Sequence, residues 1–214
     1  MTSHATHIRS WSFTLAKRPS RRALQLGVGL VLYGLSIALL VRAGLGVDSW
    51  DVLHQGLARS TGLSLGTIVN ITSVFVLVLW APLRQRPGWG TLANALVVGL
   101  VADMALVLLL EPHHILWQIP MLLAGIAVNG VATGLYIGAG LGAGPRDGLM
   151  TGLAARTGRS IRMVRTVIEL LVVITGWLLG GTVGVGTVLY AVLIGSIAQS
   201  SINRFAIGKE PSEH

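Results

Sequence analysis

Six long apolar runs, separated by short polar segments, dominate the chain. A helix needs about 20 apolar residues to cross the roughly 30 Å hydrocarbon core of a bilayer. The runs that meet this requirement cover residues 23–41, 65–83, 91–110, 117–138, 163–181 and 186–205. This pattern predicts an all-α transmembrane protein, a bundle of six spanning helices.

The second half of the chain repeats the first half at an offset of 96 residues, without a gap. Between positions 43 and 64, 12 of 22 residues are identical to their counterparts, and Asp51 aligns with Asp147. The predicted repeats are residues 23–110 and 117–205, with three spanning helices each. Because three is an odd number, the second repeat enters the membrane from the opposite face. The sequence therefore predicts two inverted repeats, an architecture that recurs in secondary transporters.

The basic residues predict the orientation of these helices. If the amino terminus is cytoplasmic, 14 of the 16 Lys and Arg residues lie in cytoplasmic segments, and only Arg42 and Arg59 lie outside. Positively charged segments resist translocation, so this asymmetry places both termini in the cytoplasm. Residues 1–22 are then a basic cytoplasmic arm and residues 206–214 a cytoplasmic tail.

Composition supports a membrane location and narrows the chemistry. Hydrophobic residues make up 52% of the chain and charged residues only 11%, with a mean hydropathy of +0.72. A soluble domain carries about 25% charged residues. The net charge of +8 is therefore explained by topology, and no nucleic-acid partner is expected. The absence of cysteine excludes disulfides, thiol catalysis and cysteine-ligated metals.

Each repeat contains a glycine-rich break followed by a short amphipathic segment. Asp48 is a good N-cap for a short helix near residues 49–59, and Pro145 suits the first turn of its counterpart. These helices lie on the membrane interface or re-enter the membrane. In the second case their N-termini favour anions in the protein interior. Two interpretations of Asp51 and Asp147 stay open: they belong to a substrate or gating element together with Arg146, or they cap short helices.

Other ionisable residues fall within the predicted spans, where charge is costly and normally faces the bundle interior. Arg165 and Glu169 are four apart and share a helix face. They form an ion pair that fixes packing, or Glu169 binds a proton or cationic group, or Arg165 extends to the lipid headgroups. Asp103 lies in the third span and either takes part in function or forms a hydrogen bond between helices. Three asparagines are expected to bridge helices: Asn70, Asn94 and Asn129.

Several motifs together resemble a known group of membrane proteins. They are Gly-Leu-Gly-Val-Asp-Ser-Trp-Asp-Val-Leu, Gly-Pro-Arg-Asp-Gly-Leu-Met, Val-Arg-Thr-Val-Ile-Glu and Gly-Val-Gly-Thr. Over residues 23–205 the chain resembles the bacterial YczE-like integral membrane proteins, within the wider YczE/YyaS/YitT group. The resemblance implies a multi-pass protein of a bacterial inner or plasma membrane, and it implies no substrate.

The sequence favours a transporter of a small solute, because inverted repeats are combined with ionisable residues at membrane depth. The candidate substrate or gating residues are Asp51, Asp147, Arg146, Asp103, Arg165 and Glu169. An accessory protein that supports another enzyme or complex is the alternative. No catalytic constellation, metal motif or phosphate loop is visible, so neither an enzyme nor a cofactor is expected. The expected partners are the lipid bilayer and an unidentified solute, and a homodimer is left open.

Overall fold

The protein is all-helical over residues 19–207, the part of the chain that its computed structural model describes. In this range there are eight helices and no strand. They are α1 (Pro19–Ala43), α2 (Ser49–Thr61), α3 (Leu65–Leu83), α4 (Trp89–Leu108), α5 (Ile115–Gly138), α6 (Pro145–Thr157), α7 (Ile161–Leu178) and α8 (Val185–Phe205). The all-α prediction is confirmed. Most of the predicted arm 1–22 and tail 206–214 lies outside the described residues.

The sequence repeat has a counterpart in the helix boundaries. The short helix α6 begins and ends 96 residues after the short helix α2. The same offset relates the first residues of α1, α3 and α4 to the first residues of α5, α7 and α8. Each half thus consists of a long helix, a short helix and two further long helices.

Within residues 19–207, five helices are long and apolar enough to cross a membrane: α1, α3, α4, α5 and α8. The predicted span 163–181 corresponds to α7, which is not among the five. This helix has 18 residues, and three of them are charged: Arg162, Arg165 and Glu169. The six-helix count of the sequence prediction is therefore supported for five helices, and α7 differs from the others because its apolar surface is interrupted by charge.

Helices α1 and α5 form the centre of the fold. They pack closely because small residues lie at the contact: a side chain at Gly29 would collide with Tyr136, and one at Gly125 would collide with Leu40. The flanking contacts are reciprocal. Helix α1 packs against α4 through Gly34, and α5 packs against α8 through the equivalent glycine, Gly130. Glycine is favoured at such crossings because it lets the backbones approach.

The two short helices interlock the halves. Helix α2 of the first half packs against α7 of the second, and α6 of the second packs against α3 of the first. Gly56 contacts the backbone of Gly176 in the first pair, and Gly148 contacts the indole of Trp80 in the second. Neither half therefore completes its packing alone.

The start of α2 lies deep along α3. After Gly62, which ends α2 in the left-handed region at φ 74° where glycine is favoured, the chain folds back, so α2 and α3 form a hairpin. Trp50, near the start of α2, packs with Val76 and Trp80 in the second half of α3. Leu149 of α6 belongs to the same buried cluster. The starts of α2 and α6 therefore come together inside the protein.

Candidate functional site

The first turn of α2 is capped by a buried carboxylate. One carboxylate oxygen of Asp48 accepts a hydrogen bond from the backbone N–H of Asp51, over 2.6 Å. The first N–H groups of a helix have no partner within the helix, so an aspartate in this position stabilises the end. The predicted N-cap is confirmed. Asp48 is only 5% exposed, which makes this cap a charged group in the protein interior.

A second buried carboxylate follows on the same helix. Asp51 Oδ1 lies 2.9 Å from Nδ1 of His54, three residues further on, and both side chains are almost fully buried. Burial raises the pKa of Asp51. Burial and the nearby Arg146 guanidinium lower the pKa of His54 to about 3, because both disfavour a further positive charge. His54 is therefore neutral at physiological pH, with Nδ1 hydrogen-bonded to the carboxyl.

Arg146, at the start of α6, supplies the counter-charge for both aspartates. Its Nη1 lies 3.1 Å from Asp48 Oδ2, and its Nη2 lies 3.7 Å from Asp51 Oδ1. Its guanidinium also lies over the Trp50 ring, 5.3 Å from the centroid, within the range of a cation–π interaction. The charged cluster, defined here as Asp48, Asp51, His54 and Arg146, therefore joins the starts of two helices from different halves of the chain.

Asp147 lies beside this cluster but has a different partner. Its carboxylate accepts a hydrogen bond of 2.7 Å from the hydroxyl of Tyr136, and the ring of Tyr136 packs edge-on against Tyr33 at 5.9 Å. Asp147 is the repeat counterpart of Asp51. The two aspartates thus occupy equivalent helix positions and are held by a tyrosine in one case and a histidine in the other.

A small cavity adjoins the start of α6. Its volume is about 40 Å³, which is enough for water and too small for an organic solute. The lining is mostly polar or aromatic at one end, where Tyr33, Tyr136, Arg146 and Asp147 meet. Arg146 therefore faces both the buried aspartates and an open space.

A line of neutral polar groups extends from α8 to the centre of the fold. The hydroxyl of Tyr190 donates to the side chain of Asn129 over 2.8 Å, and Asn129 donates to Ser36 over 2.8 Å. These bonds connect α8, α5 and α1. Asn70 similarly bridges α3 and α4. The predicted helix-bridging role of these two asparagines is confirmed, whereas Asn94 lines the cavity.

The remaining predicted site residues lie elsewhere. Asp103 accepts hydrogen bonds from the Ser64 hydroxyl, at 2.5 Å, and from the Gly66 N–H, at 2.7 Å. It therefore fixes the start of α3 to α4, as the helix-to-helix interpretation expected. Arg165 and Glu169 form an ion pair of 2.8 Å on the exposed side of α7. Of the six candidates, the structure brings together Asp51, Arg146 and Asp147.

Sequence reasoning did not assign His54, Tyr33 or Tyr136 to the site, and it considered Asp48 only as a cap. One available signal was the spacing of Asp51 and His54, because residues three apart share a helix face. The tyrosines had no such signal, since they reach the site through the packing of α1 against α5. Among residues 19–207, no three acidic or histidine side chains are placed to hold a metal ion.

Proteins with similar sequences include a bacterial membrane protein. The family of unknown function DUF6198 matches residues 20–203. An uncharacterized protein of Haemophilus influenzae is 41% identical over 184 residues, which are 84% of each chain. The uncharacterized membrane protein YczE of Bacillus subtilis is 32% identical over 183 residues, covering 81% of this chain and 82% of YczE. YyaS of the same organism is 27% identical over 175 residues, 80% of this chain and 87% of YyaS.

No solved structure matches the chain. The predicted resemblance to YczE and YyaS is confirmed, and with it the membrane location.

Proposed function

This chain belongs to DUF6198, a family of unknown function, and we propose that it is a small-solute transporter built from two inverted repeats. The observation that carries the proposal is the charged cluster, in which Asp48 and Asp51 of one half meet Arg146 of the other. Ionisable groups inside a membrane protein are costly to bury and typically mark a substrate or ion pathway.

The position of the cluster supports the same conclusion. Both short helices, α2 and α6, have 13 residues, which is too few to cross a bilayer. If the termini are cytoplasmic, α2 ends near the outer face and α6 ends near the cytoplasmic face, and each helix starts inside the protein. Their starts then meet near the middle of the membrane. Transporters built from inverted repeats bind their substrates at such a junction of broken helices.

We expect a solute to bind at Arg146. It lines the cavity, and about one-fifth of its side chain is exposed, whereas Asp48 and Asp51 are almost fully enclosed. A solute that interacts with the guanidinium competes with these two carboxylates. The aspartates therefore hold Arg146 in place between transport events and balance its charge in the interior.

A transport assay tests the proposal. The purified protein is screened against small polar solutes for an increase in melting temperature, and solutes that stabilise it are tested for uptake into proteoliposomes. We expect Arg146→Gln and Asp51→Asn to lower the uptake rate at least tenfold. Glu111→Gln is the control, because Glu111 is exposed and its partner Arg42 lies at 3.5 Å, away from the cluster.

Two results would count against transport. Unchanged uptake in both cluster variants would separate the cluster from the function. Absence of flux for every stabilising solute, together with reproducible co-purification of an enzyme or complex, would instead favour the accessory role.

A further inference from the structure

The contact between α3 and α4 in the first half is closed and glycine-lined. A Cβ atom at Gly66 would collide with the backbone of Gly99, and one at Gly99 with the backbone of Gly66. Asn70 donates to the Leu96 carbonyl and accepts from the Gly99 N–H, and Asp103 holds the start of α3. No solute can pass between these two helices.

The equivalent pair in the second half is open. Helices α7 and α8, which are fully within the described residues, do not pack closely as α3 and α4 do. Gly195 is the repeat counterpart of Gly99, yet a Cβ atom there would meet nothing within 4 Å. The neighbouring side chain of Val192 is 68% exposed. At the place where α3 and α4 touch, α7 and α8 therefore leave a gap, which is called the cleft below.

The cleft corresponds, by the repeat, to one wall of the cavity beside α6. Val69, Ser73 and Asn94 line that cavity. Their counterparts at the 96-residue offset are Arg165, Glu169 and Tyr190, which belong to α7 and α8. At this place in the fold the first half presents Val69, Ser73 and Asn94, whereas the second half presents Arg165, Glu169 and Tyr190.

Polar side chains lie on both helices that border the cleft. Arg165 and Glu169 form an ion pair on α7. The hydroxyl of Tyr190 on α8 donates to Asn129, deeper in the fold. A polar or charged solute that entered between α7 and α8 would meet hydrogen-bonding groups along its way to Arg146.

We infer that the cleft between α7 and α8 is the cytoplasmic entrance for a polar, charge-bearing solute, and that it closes by bringing Gly195 against α7. This inference rests on the proposed transport function. Glycine destabilises a helix interior relative to alanine, and in the open cleft Gly195 gains no close contact in return. The closed contact of Gly66 with Gly99 supplies the geometry of the closed state.

The absence of cysteine permits a direct test of closure. Thr166 and Gly195 are the counterparts of Asn70 and Gly99, which are hydrogen-bonded at 3.1 Å. Closure would bring positions 166 and 195 equally close. We expect the double variant Thr166→Cys with Gly195→Cys to form an intramolecular disulfide under mild oxidation. Thr166→Cys with Val188→Cys is the matched control, because position 188 lies two helical turns away on the same face.

The yield of the 166–195 disulfide should depend on the contact between α3 and α4. Asn70→Ala with Asp103→Ala removes hydrogen bonds between α3 and α4, so it should favour the state in which α7 and α8 are closed. We expect the 166–195 disulfide to increase several-fold in this background. A yield equal to that of the 166–188 control in both backgrounds would overturn the inference, and so would a cross-link formed only between two copies.

A second variant separates this inference from the transport proposal. Gly195→Leu should leave the melting temperature unchanged, because the cleft has room for the side chain, and should reduce solute uptake at least tenfold, because it blocks closure. Full uptake by this variant would refute the closure. The disulfide assay needs no solute, so cross-linking without flux would contradict transport, and flux without cross-linking would contradict only the entrance.

Discussion

The short helices α2 and α6 have the same length and the same place in their repeats, yet their first turns carry opposite chemistry. Asp48 and Trp50 in α2 correspond to Gly144 and Arg146 in α6. As a result, α2 carries its own capping carboxylate, whereas the α6 N-cap makes no side-chain hydrogen bond. The starts of α2 and α6 are related by the repeat and lie in contact. Because one start carries Asp48 and the other carries Arg146, the two are electrostatically complementary.

The same two helices exchange large and small residues where they cross the other half. Gly148 of α6 contacts the Trp80 ring of α3, while the counterpart of Gly148 in α2 is Val52 and the counterpart of Trp80 in α7 is Gly176. The crossing of α6 with α3 is therefore filled by the Trp80 ring, whereas in the crossing of α2 with α7 Gly176 lies against the backbone of Val52 and Leu53.

Removing the counter-charge should have the largest effect. Arg146→Met leaves Asp48 and Asp51 buried without a cation, and breaking a buried ion pair costs about 3–5 kcal/mol. We expect this loss in the free energy of unfolding, measured by denaturant titration in detergent. The loss should shrink at acid pH, since protonated carboxyls need no counter-charge. Arg146→Lys is the control that keeps the charge, and equal stability of the Met and Lys variants would disprove the pairing.

The exchanged volumes predict the next largest effect. Gly148→Ala places a methyl group against the buried indole of Trp80, and overpacking of this kind costs about 1–3 kcal/mol. Combining it with Trp80→Leu should recover part of the loss, because the two positions are in contact. Gly27→Ala is the control, since nothing lies within 4 Å of that position. Strictly additive losses in the double variant would show that the two residues do not interact.

Local patterns predicted the parts of this structure that depend on neighbouring residues. The 96-residue repeat, the short helices and the Asp48 cap follow from spacing and from the chemistry of helix ends. The contact of Arg146 with Asp48 could not be predicted in this way. It arises because α2 folds back along α3 while α6 packs on the same helix, and the two residues are 98 positions apart in the chain.

The charged α7 is a second case in which sequence reasoning was incomplete. Hydropathy identifies residues 163–181 as a span, but it does not indicate that Arg165 and Glu169 lie beside an open cleft. At the positions where Gly66, Asn70 and Asp103 join α3 to α4, the second half has Arg162, Thr166 and Gln199. These substitutions between the repeats accompany a large difference in packing.

A smaller effect should separate the two roles of Asp48, its cap and its charge. Asp48→Asn keeps an oxygen that can accept from the Asp51 N–H and loses only the charge, whereas Asp48→Ala loses both. The difference in unfolding free energy between these variants should be about 1 kcal/mol, the usual contribution of an N-cap. Gly144→Ala, at the uncapped start of α6, should change no capping bond. If the Asn and Ala variants are equally stable, the 2.6 Å bond contributes nothing.

A pH-dependent effect concerns His54, whose counterpart in α6 is Met150. The groups that face it are Asp48, Asp51 and Arg146. Its pKa is lowered from 6.5 to about 3, so the folded protein favours the neutral imidazole of His54. A group with this shift stabilises the fold fully above pH 6.5, and its contribution is lost as the pH falls from 6.5 towards 3.

His54→Gln keeps a hydrogen-bond donor for Asp51 and does not titrate. Both proteins retain the aspartates, whose raised pKa values act in the opposite direction, so the difference between the two proteins isolates His54. We expect the wild-type melting temperature to fall relative to the variant between pH 7.5 and pH 5. If acid instead raises the melting temperature of the wild type relative to the variant, His54 is an imidazolium paired with Asp51. Helix α2 would then carry a positive charge of its own. The contrast between an acidic α2 and a basic α6 would no longer hold.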